Sequence, residues 1–453
     1  MSVEIIPPQP TLLSNHPYRS IILDSLTHAL DAVAGDQTVA RAIQLKQGTL
    51  FIQDNVYPLH QQGKLVVVAV GKAAAAMMQG ALQKLEPRVE RGLVITKKIV
   101  SVALPKTEII YGDHPVPSQH SIRAAHRLEQ FIQTLTAQDT LICLISGGAS
   151  ALLTYPRPPL TLRQLQQTTR LLLRSGATIQ EINCVRKHLE KFKGGGLAAI
   201  AQPAKIISLI LSDVIDNDLA SIASGLTVPD PTTFGDALHI IHQYHLEKRI
   251  PVAVLQLLQK GEAGMEPETN KAHDPLFQNV NNYLIGSNSQ ACQAALESFS
   301  RHGFSTLHLT SYLKGEASQV GQIFAAFARQ LSENSSSSKP VCWIAGGETT
   351  VTVRGNGIGG RNLEVALGAI KDLAGVRNCL LITLATDGED GFSPAAGAMV
   401  DGTTWQRAIT LGLNPDKALA NNDSYPFFEA LGDLLYTSPT NTNVNDLLLL
   451  IAY

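Results

Sequence analysis

The chain has 453 residues, 44% of them hydrophobic and 16% charged, with a formal net charge of −2. That is enough material for two domains with full apolar cores, and it excludes a disordered chain. Near-neutrality without a long basic run argues against nucleic acid as the main partner, and no apolar run reaches the roughly 20 residues of a membrane span.

The opening segment, MSVEIIPPQPTLLSNHP, lacks a basic stretch followed by a long apolar one, so a cytoplasmic location is expected. The five cysteines (Cys143, Cys184, Cys292, Cys342, Cys379) lack CxxC spacing and read as buried thiols of a reducing compartment. Periodicity predicts amphipathic helices over Tyr18–Ala34 and Thr38–Gln47 that pack on a sheet. Beyond them, short apolar runs alternate with helical periodicity, the sign of a largely parallel sheet covered by helices. Expected strands of a first set are Leu65–Val70, Leu93–Thr96, Thr107–Tyr111, Leu141–Ile145 and Ile206–Leu211. A polar, breaker-rich stretch, GEAGMEPETNKAHDP at Gly261–Pro275, marks a boundary between domains over 1–270 and 276–453. The second set comprises Tyr283–Ile285, Ser305–Leu309, Val341–Ala345, Thr349–Arg354, Leu380–Ala385, Leu434–Thr437 and the fully apolar Leu447–Ala452. Within it, ENSSSSKP at Glu333–Pro340 reads as a solvated surface connection.

Ligands of open α/β sheets bind beyond the carboxyl ends of strands, so the residues following each run carry the functional signal. Two junctions share a pattern of apolar strand, glycine turn, then a cation opening a helix: KLVVVAVGKAAAAMM with Lys72, and VCWIAGGETTVTVRGNGIGGRNLEVA with Arg361. A cation in a first helical turn opposes the macrodipole by roughly 0.3–1 kcal/mol, unless a bound anion reverses the sign. Other strand ends deliver Ser146-Gly147-Gly148-Ala149-Ser150, then Ser212-Asp213 through Asp218 and on to Ser224-Gly225. Further along come Gly346-Gly347-Glu348 and Thr386-Asp387-Gly388-Glu389-Asp390-Gly391. Glycine turns that cradle phosphate, two cations and hard carboxylates are the parts of phosphoryl transfer with Mg²⁺. Asp213, Asp218, Glu348, Asp387 and Asp390 are the candidate metal ligands, and spacing does not separate ligands from helix caps.

Val66–Lys72 is no Walker A loop, since the first glycine is missing and Ala73 replaces the hydroxyl. Gly355-Asn356-Gly357-Ile358-Gly359-Gly360 satisfies GxGxxG, but no acidic residue follows at about 20 positions to take a ribose hydroxyl. Among the histidines, His114 after a strand and His188 within a basic helix (NCVRKHLEKFKGGG) stand in suggestive surroundings. In that helix Lys191 and Lys193 also fit simple C-terminal charge placement.

The segments AVGKAA, SGGASALL, INCVRKHLEKFKGGGLA, SDVIDNDLASIASGLTVPDPTTF, LIGSNSQA, GGETTVTVRGNGIGGRNLE, ATDGEDGFSPAAGAMVDG and SPTNTNVNDLLLL together resemble the glycerate 2-kinases of the MOFRL type, from about residue 20 to the C-terminus. The resemblance implies an N-terminal Rossmann-like αβα domain, a smaller C-terminal α/β domain of the MOFRL type and a cleft between them. It implies phosphorylation of D-glycerate at its 2-hydroxyl, with ATP and Mg²⁺. By motif, Lys72 and Arg361 take the catalytic roles. Gly71, Ser146, Gly147, Gly148, Ser150, Asn288, Gly346, Gly347, Gly359 and Gly360 are expected to bind substrate or nucleotide. Asp213, Asp218, Glu348 and Asp387 are the metal candidates. Two positions depart from the family pattern: Leu226 stands for the proline of SGP, and Asn441 for the glycine of GPTGTNVND. Members have also been called hydroxypyruvate reductases, and an NAD(P)-dependent reductase is the alternative reading; a sugar-phosphate sensor is a third. Expected partners are glycerate and ATP, with no nucleic acid or membrane, and a homodimer remains open.

Overall fold

Strands made almost wholly of Val, Ile, Leu and Ala can be buried on both faces, and such runs dominate the first sheet. In the computed structural model, which describes residues 3–97, 100, 102–333 and 339–453, this sheet has six strands. Their order is Val280–Gly286, Lys205–Leu211, Thr140–Ile145, Leu65–Val70, Val89–Thr96, Thr107–Tyr111. The five strands from Leu65 to Leu211 pair in parallel. Every side chain of Leu65–Val70 and Thr140–Ile145 is buried. At about 1.5–3 kcal/mol for each Val, Leu or Ile removed from water, these two strands anchor the core.

Numbered along the chain, the strands lie in the order 3-2-1-4-5-6, that of the doubly wound dinucleotide-binding folds. The chain reverses direction across the sheet between Leu65–Val70 and Thr140–Ile145, which makes their carboxyl ends the switch point. A second core, formed by the helices Leu162–Ser175, Ile179–Leu189, Phe234–Gln243 and Val252–Glu262, belongs to the same unit.

The other sheet has seven strands, in the order Ile5–Ile6, Leu434–Thr437, Gly397–Asp401, Cys379–Ala385, Asp446–Ala452, Val341–Gly347, Ser305–Leu313. Only Ser305–Leu313 and Val341–Gly347 pair in parallel; the remaining pairs are antiparallel. This departs from the parallel sheet expected, because apolarity on both faces records burial and not direction. The final strand, Asp446–Ala452, is buried at every residue and lies between Val341–Gly347 and Cys379–Ala385.

The chain divides into Gly35–Ile285 and a second unit made of Met1–Ala34 and Gly286–Tyr453. The sequence placed the boundary near 270–276 and assigned Tyr283–Ile285 to the second set. In the structure that strand sits beside Lys205–Leu211, so the break comes after it. The chain's first 34 residues join the C-terminal unit because Ile5–Ile6 pairs with Leu434–Thr437 and the helix Arg19–Ala32 bears on Asn288–Arg301, with Ser25 and Ser298 hydroxyls 2.9 Å apart.

Two local expectations also change. The predicted helix at 38–47 stops at Ala42, and Ile43–Lys46 opens a three-stranded antiparallel meander with Thr49–Ile52 and Asn55–Pro58. The run 349–354 is no strand and makes a single bridge, Glu316 to Thr350. Of the loop expected at 333–340, residues 334–338 lie outside the described residues.

Candidate active site

The Gly71-Lys72 turn is wired by backbone. Gly71 takes φ +132°, and a Cβ there would stand 2.2 Å from Ser146 Oγ, so only glycine fits. Lys72 N–H donates to Gly147 O at 2.9 Å, Ala73 N–H to Ser146 Oγ at 3.1 Å, and Ser146 N–H to Val70 O at 3.0 Å. Two strand ends at the switch point thus hold each other. The helix starts at Ala74, so Lys72 precedes the first turn instead of lying in it as the sequence suggested. Its half-buried side chain runs beside Gly148, where a Cβ would lie 3.2 Å from Lys72 Cγ and 3.1 Å from the His114 ring. Gly148 itself has φ +83° and opens the short helix Ala149–Leu152. His114 therefore joins the lysine turn, whereas His188 is fully buried in a structural network, with Glu268 3.0 Å from its Nε2.

Behind this turn Ser150, Lys193 and Ser224 meet Arg186, Glu190 and Asn183, which spacing did not single out. Ser150 O accepts from Arg186 Nη2 at 3.2 Å and from Lys193 Nζ at 3.1 Å, and Glu190 pairs with Lys193. Lys193 is fully buried, and burial pulls its ammonium down to about 8 against the attraction of Glu190. Its role is thus internal rather than placement at a solvated helix end. Ser150 Oγ is 2.7 Å from Ser224 Oγ, which donates to Asn183 Oδ1 at 3.2 Å. Asp218 caps its own turn, accepting from Ala220 N at 3.2 Å and Ser221 Oγ at 2.6 Å. Asp213 stands second beyond Lys205–Leu211 and is half-buried. Leu226, the departure from the family proline, is buried in the sheet core.

The arginine junction is built from carboxylates. Gly360 caps Arg361–Leu373, so Arg361 does occupy the first turn. The helix end already faces an anion: Asp390 accepts from Asn362 N at 3.0 Å and Leu363 N at 2.8 Å. Arg361 Nε and Nη2 reach the two oxygens of Asp446 at 2.5 and 3.3 Å, and Nη1 reaches Glu348 at 2.5 Å. Despite its burial, these charges hold the guanidinium firmly protonated. Burial pushes Asp390 and Asp446 up to about 6, the neighbouring carboxylate adding to it for Asp390 and Arg361 opposing it for Asp446. Asp446 was missed as a site residue; the available signal was a carboxylate opening a strand apolar on both faces.

The remaining glycines and Asn288 pack against protein. Cβ atoms at Gly359 and Gly360 would stand 2.2 Å from Ser424 Oγ and 2.4 Å from Asp390 Cγ, and one at Gly346 would strike Asn288. Gly347 lies against Leu313. Asn288 Nδ2 donates to Val444 O and Asp446 O, both at 2.9 Å, and so ties down the backbone of Arg361's partner. In the GxGxxG segment, the N–H groups of 355 to 358 donate to Asn422 Oδ1, Asn421 Oδ1, Asn421 O and Asp423 Oδ1. Asp387, half-buried, stands second beyond Cys379–Ala385 and accepts from Glu389 N at 3.3 Å. Asn441 has φ +54°, a conformation asparagine tolerates best after glycine, which explains that departure. Among the described residues no three His, Cys, Asp or Glu converge as a metal cluster, and no helix is long and apolar enough to cross a membrane.

Residues 21–259 match the family described as a domain of unknown function, DUF4147, and residues 341–446 match the MOFRL family. A glycerate 2-kinase of Pyrococcus horikoshii is 38% identical over 96% of this chain and 97% of its own length. The solved structure of a glycerate kinase from Thermotoga maritima superposes with a TM-score of 0.82 at 34% identity, covering 96% of this chain and 99% of that one. A relative from Agrobacterium vitis, 39% identical over 87% of this chain and 88% of its own, bears the provisional name hydroxypyruvate reductase. With such identity along nearly the whole length, the chain belongs to the MOFRL-type glycerate kinase family.

Proposed function

We propose that this chain transfers the γ-phosphoryl group of ATP to the 2-hydroxyl of D-glycerate, giving 2-phosphoglycerate and ADP. The observation that carries the reading is Lys72, presented by a hydrogen-bonded glycine turn at the switch point of a sheet in the order 3-2-1-4-5-6. An ammonium there neutralises phosphoryl oxygens as charge develops. Arg361 supplies the second cation. Its pairing with Glu348 and Asp446 fixes the guanidinium plane before substrate arrives, so little reorganisation is needed in the transition state.

Mg²⁺ bound with a nucleotide takes one or two carboxylates, phosphate oxygens and water, so no three-residue cluster is required. Asp213 and Asp387, each the second residue beyond a buried strand, are the proposed ligands; Asp218 serves as a turn cap and Glu348 as a counter-ion. The ion would offset phosphate charge. A nicotinamide site finds no support at Gly355–Gly360, because the N–H groups a pyrophosphate needs are bonded to Asn421, Asn422 and Asp423. Five free, buried thiols suit a cytoplasmic setting. For assembly we propose a homodimer through the edge strand Ser305–Leu313, where Leu307 and Tyr312 are 45% and 65% exposed; a monomer by sedimentation at micromolar concentration rejects it.

The test of function is ADP release coupled to added D-glycerate, with the product assigned as 2- or 3-phosphoglycerate by NMR. Glycerate-dependent ADP and the 2-isomer are expected. NADH oxidation with hydroxypyruvate in place of ADP release overturns the reading.

A further inference from the structure

Hydrogen-bond direction at Ser150 says more about the substrate than its position does. A serine hydroxyl has one proton and two lone pairs, while an amide oxygen only accepts. Ser224 donates its proton to Asn183 Oδ1 at 3.2 Å, so the 2.7 Å contact between Ser150 and Ser224 is filled by the proton of Ser150. The chain runs Ser150 to Ser224 to Asn183, inward. Ser150 Oγ therefore turns only lone pairs towards a ligand, which suits a hydroxyl donor and not a phosphate or carboxylate oxygen.

Three features hold this polarity. Ser224 is fully buried and Asn183 nearly so. The Ser150 carbonyl is pinned by Arg186 and Lys193. Ala223, Ser224 and Gly225 sit consecutively at φ +53°, +57° and +68°, a left-handed run that two non-glycine residues adopt only when surroundings impose it. Here Gly194 N–H and Gly195 N–H impose it, bonding to Ser224 O and Gly225 O at 3.1 and 2.8 Å. Strain kept at such expense beside the lysine turn marks a binding element rather than a connection.

We propose that Ser150 accepts a hydrogen bond from the hydroxyl of the hydroxy-acid substrate that is not phosphorylated, with Ser224 and Asn183 as positioning residues. The inference rests on the kinase reading above. A Cβ at Gly148, two residues before Ser150, would lie 3.2 Å from Lys72 Cγ, so the element lies beside the lysine to which the kinase reading assigns the phosphoryl group. A ribose hydroxyl is three phosphates away from the reacting atom, which leaves the acceptor substrate as the donor. Because the inward proton is already committed, an anionic group facing the Ser150 hydroxyl meets only its lone pairs, which makes Ser150 Oγ an acceptor for the substrate and not a phosphate ligand.

The test compares D-glycerate with D-lactate, which lacks only the 3-hydroxyl, in wild type and Ser150→Ala. KM is read for glycerate and ATP, and the inhibition constant of lactate against glycerate. Wild type should hold glycerate about tenfold more tightly than lactate, and Ser150→Ala should bring that ratio close to one while leaving KM for ATP unchanged. Ser224→Gly, which relieves the left-handed backbone and removes the hydroxyl, should lower the ratio severalfold. An unchanged ratio in Ser150→Ala, or a rise confined to KM for ATP, overturns the proposal. Wild type that releases no ADP with glycerate instead fails the kinase reading itself, before any variant is compared.

Discussion

The two glycine-to-cation junctions look alike in sequence and are built in opposite ways. Around Lys72, neighbouring strand ends exchange main-chain hydrogen bonds that fix the turn. Around Arg361, the frame is the charge itself: Asp446, Glu348 and Asp390 are gathered against a guanidinium and a helix end. The contrast extends through each unit. In Gly35–Ile285 the shifted carboxylates move downward, as hydrogen bonds outweigh desolvation at Glu268, Asp139 and Asp236. In the other unit Glu364, Asp390, Asp433 and Asp446 move upward, burial being the largest cause. A cation that neutralises buried carboxylates is costly to remove, because each carboxylate is left buried without its partner.

The sharpest break between the two comes from truncating each cation. Lys72→Ala should lower kcat about a thousandfold, the scale of losing a preorganised transition-state charge, with a smaller fall in urea midpoint than Arg361→Ala. A turnover within threefold of wild type removes Lys72 from the chemistry. Arg361→Ala should lose activity comparably but also destabilise its unit by about 3 kcal/mol, because Asp446 is left buried and unpaired. Both tryptophans, Trp343 and Trp405, lie in that unit, so their fluorescence in urea reports it selectively. Equal stability of the two variants would dissolve the distinction.

The asymmetry also explains what could be read before any coordinates. The strand Leu65–Val70 was legible to the residue, because a fully apolar run bounded by polar or glycine residues has few other uses, and the short apolar centres of Thr107–Tyr111 and Leu434–Thr437 placed those two strands as well. Direction was not legible: Asp446–Ala452 is as apolar as a parallel strand and runs antiparallel to both neighbours. The lysine turn was readable because its glycines are local signals. The partners of Arg361 were harder, since Asp446 comes 85 residues later and no periodicity links the two. The pairing of Ser224 with Asn183 was hidden for the same reason: it lies in a hydrogen bond spanning 41 residues.

A smaller effect separates the units by pH alone. Asp390, Asp433 and Asp446 are pushed from the ordinary aspartate range up to about 6. The native unit then binds protons more tightly than its unfolded chain between about pH 4 and 6, so its stability rises as pH falls through that window. The net gain between pH 7.5 and 5 should be about 2 kcal/mol, less than three independent groups would give because Asp390 and Asp446 titrate together. Glu268 behaves inversely. Burial raises it, but the hydrogen bond with His188 and those from Phe234 N and Thr269 N prevail and bring it to about 2. Its contribution is complete above about pH 4.5 and lost only as pH falls towards 2, leaving Gly35–Ile285 insensitive across the window where the other unit gains. Urea unfolding followed by tryptophan fluorescence should therefore shift to higher midpoint from pH 7.5 to 5, while hydrogen exchange of Leu65–Val70 amides stays level. Parallel movement of the two signals would mean that the buried aspartates of the arginine junction are paid no ionisation penalty, and that the opposition between the two junctions is one of geometry only.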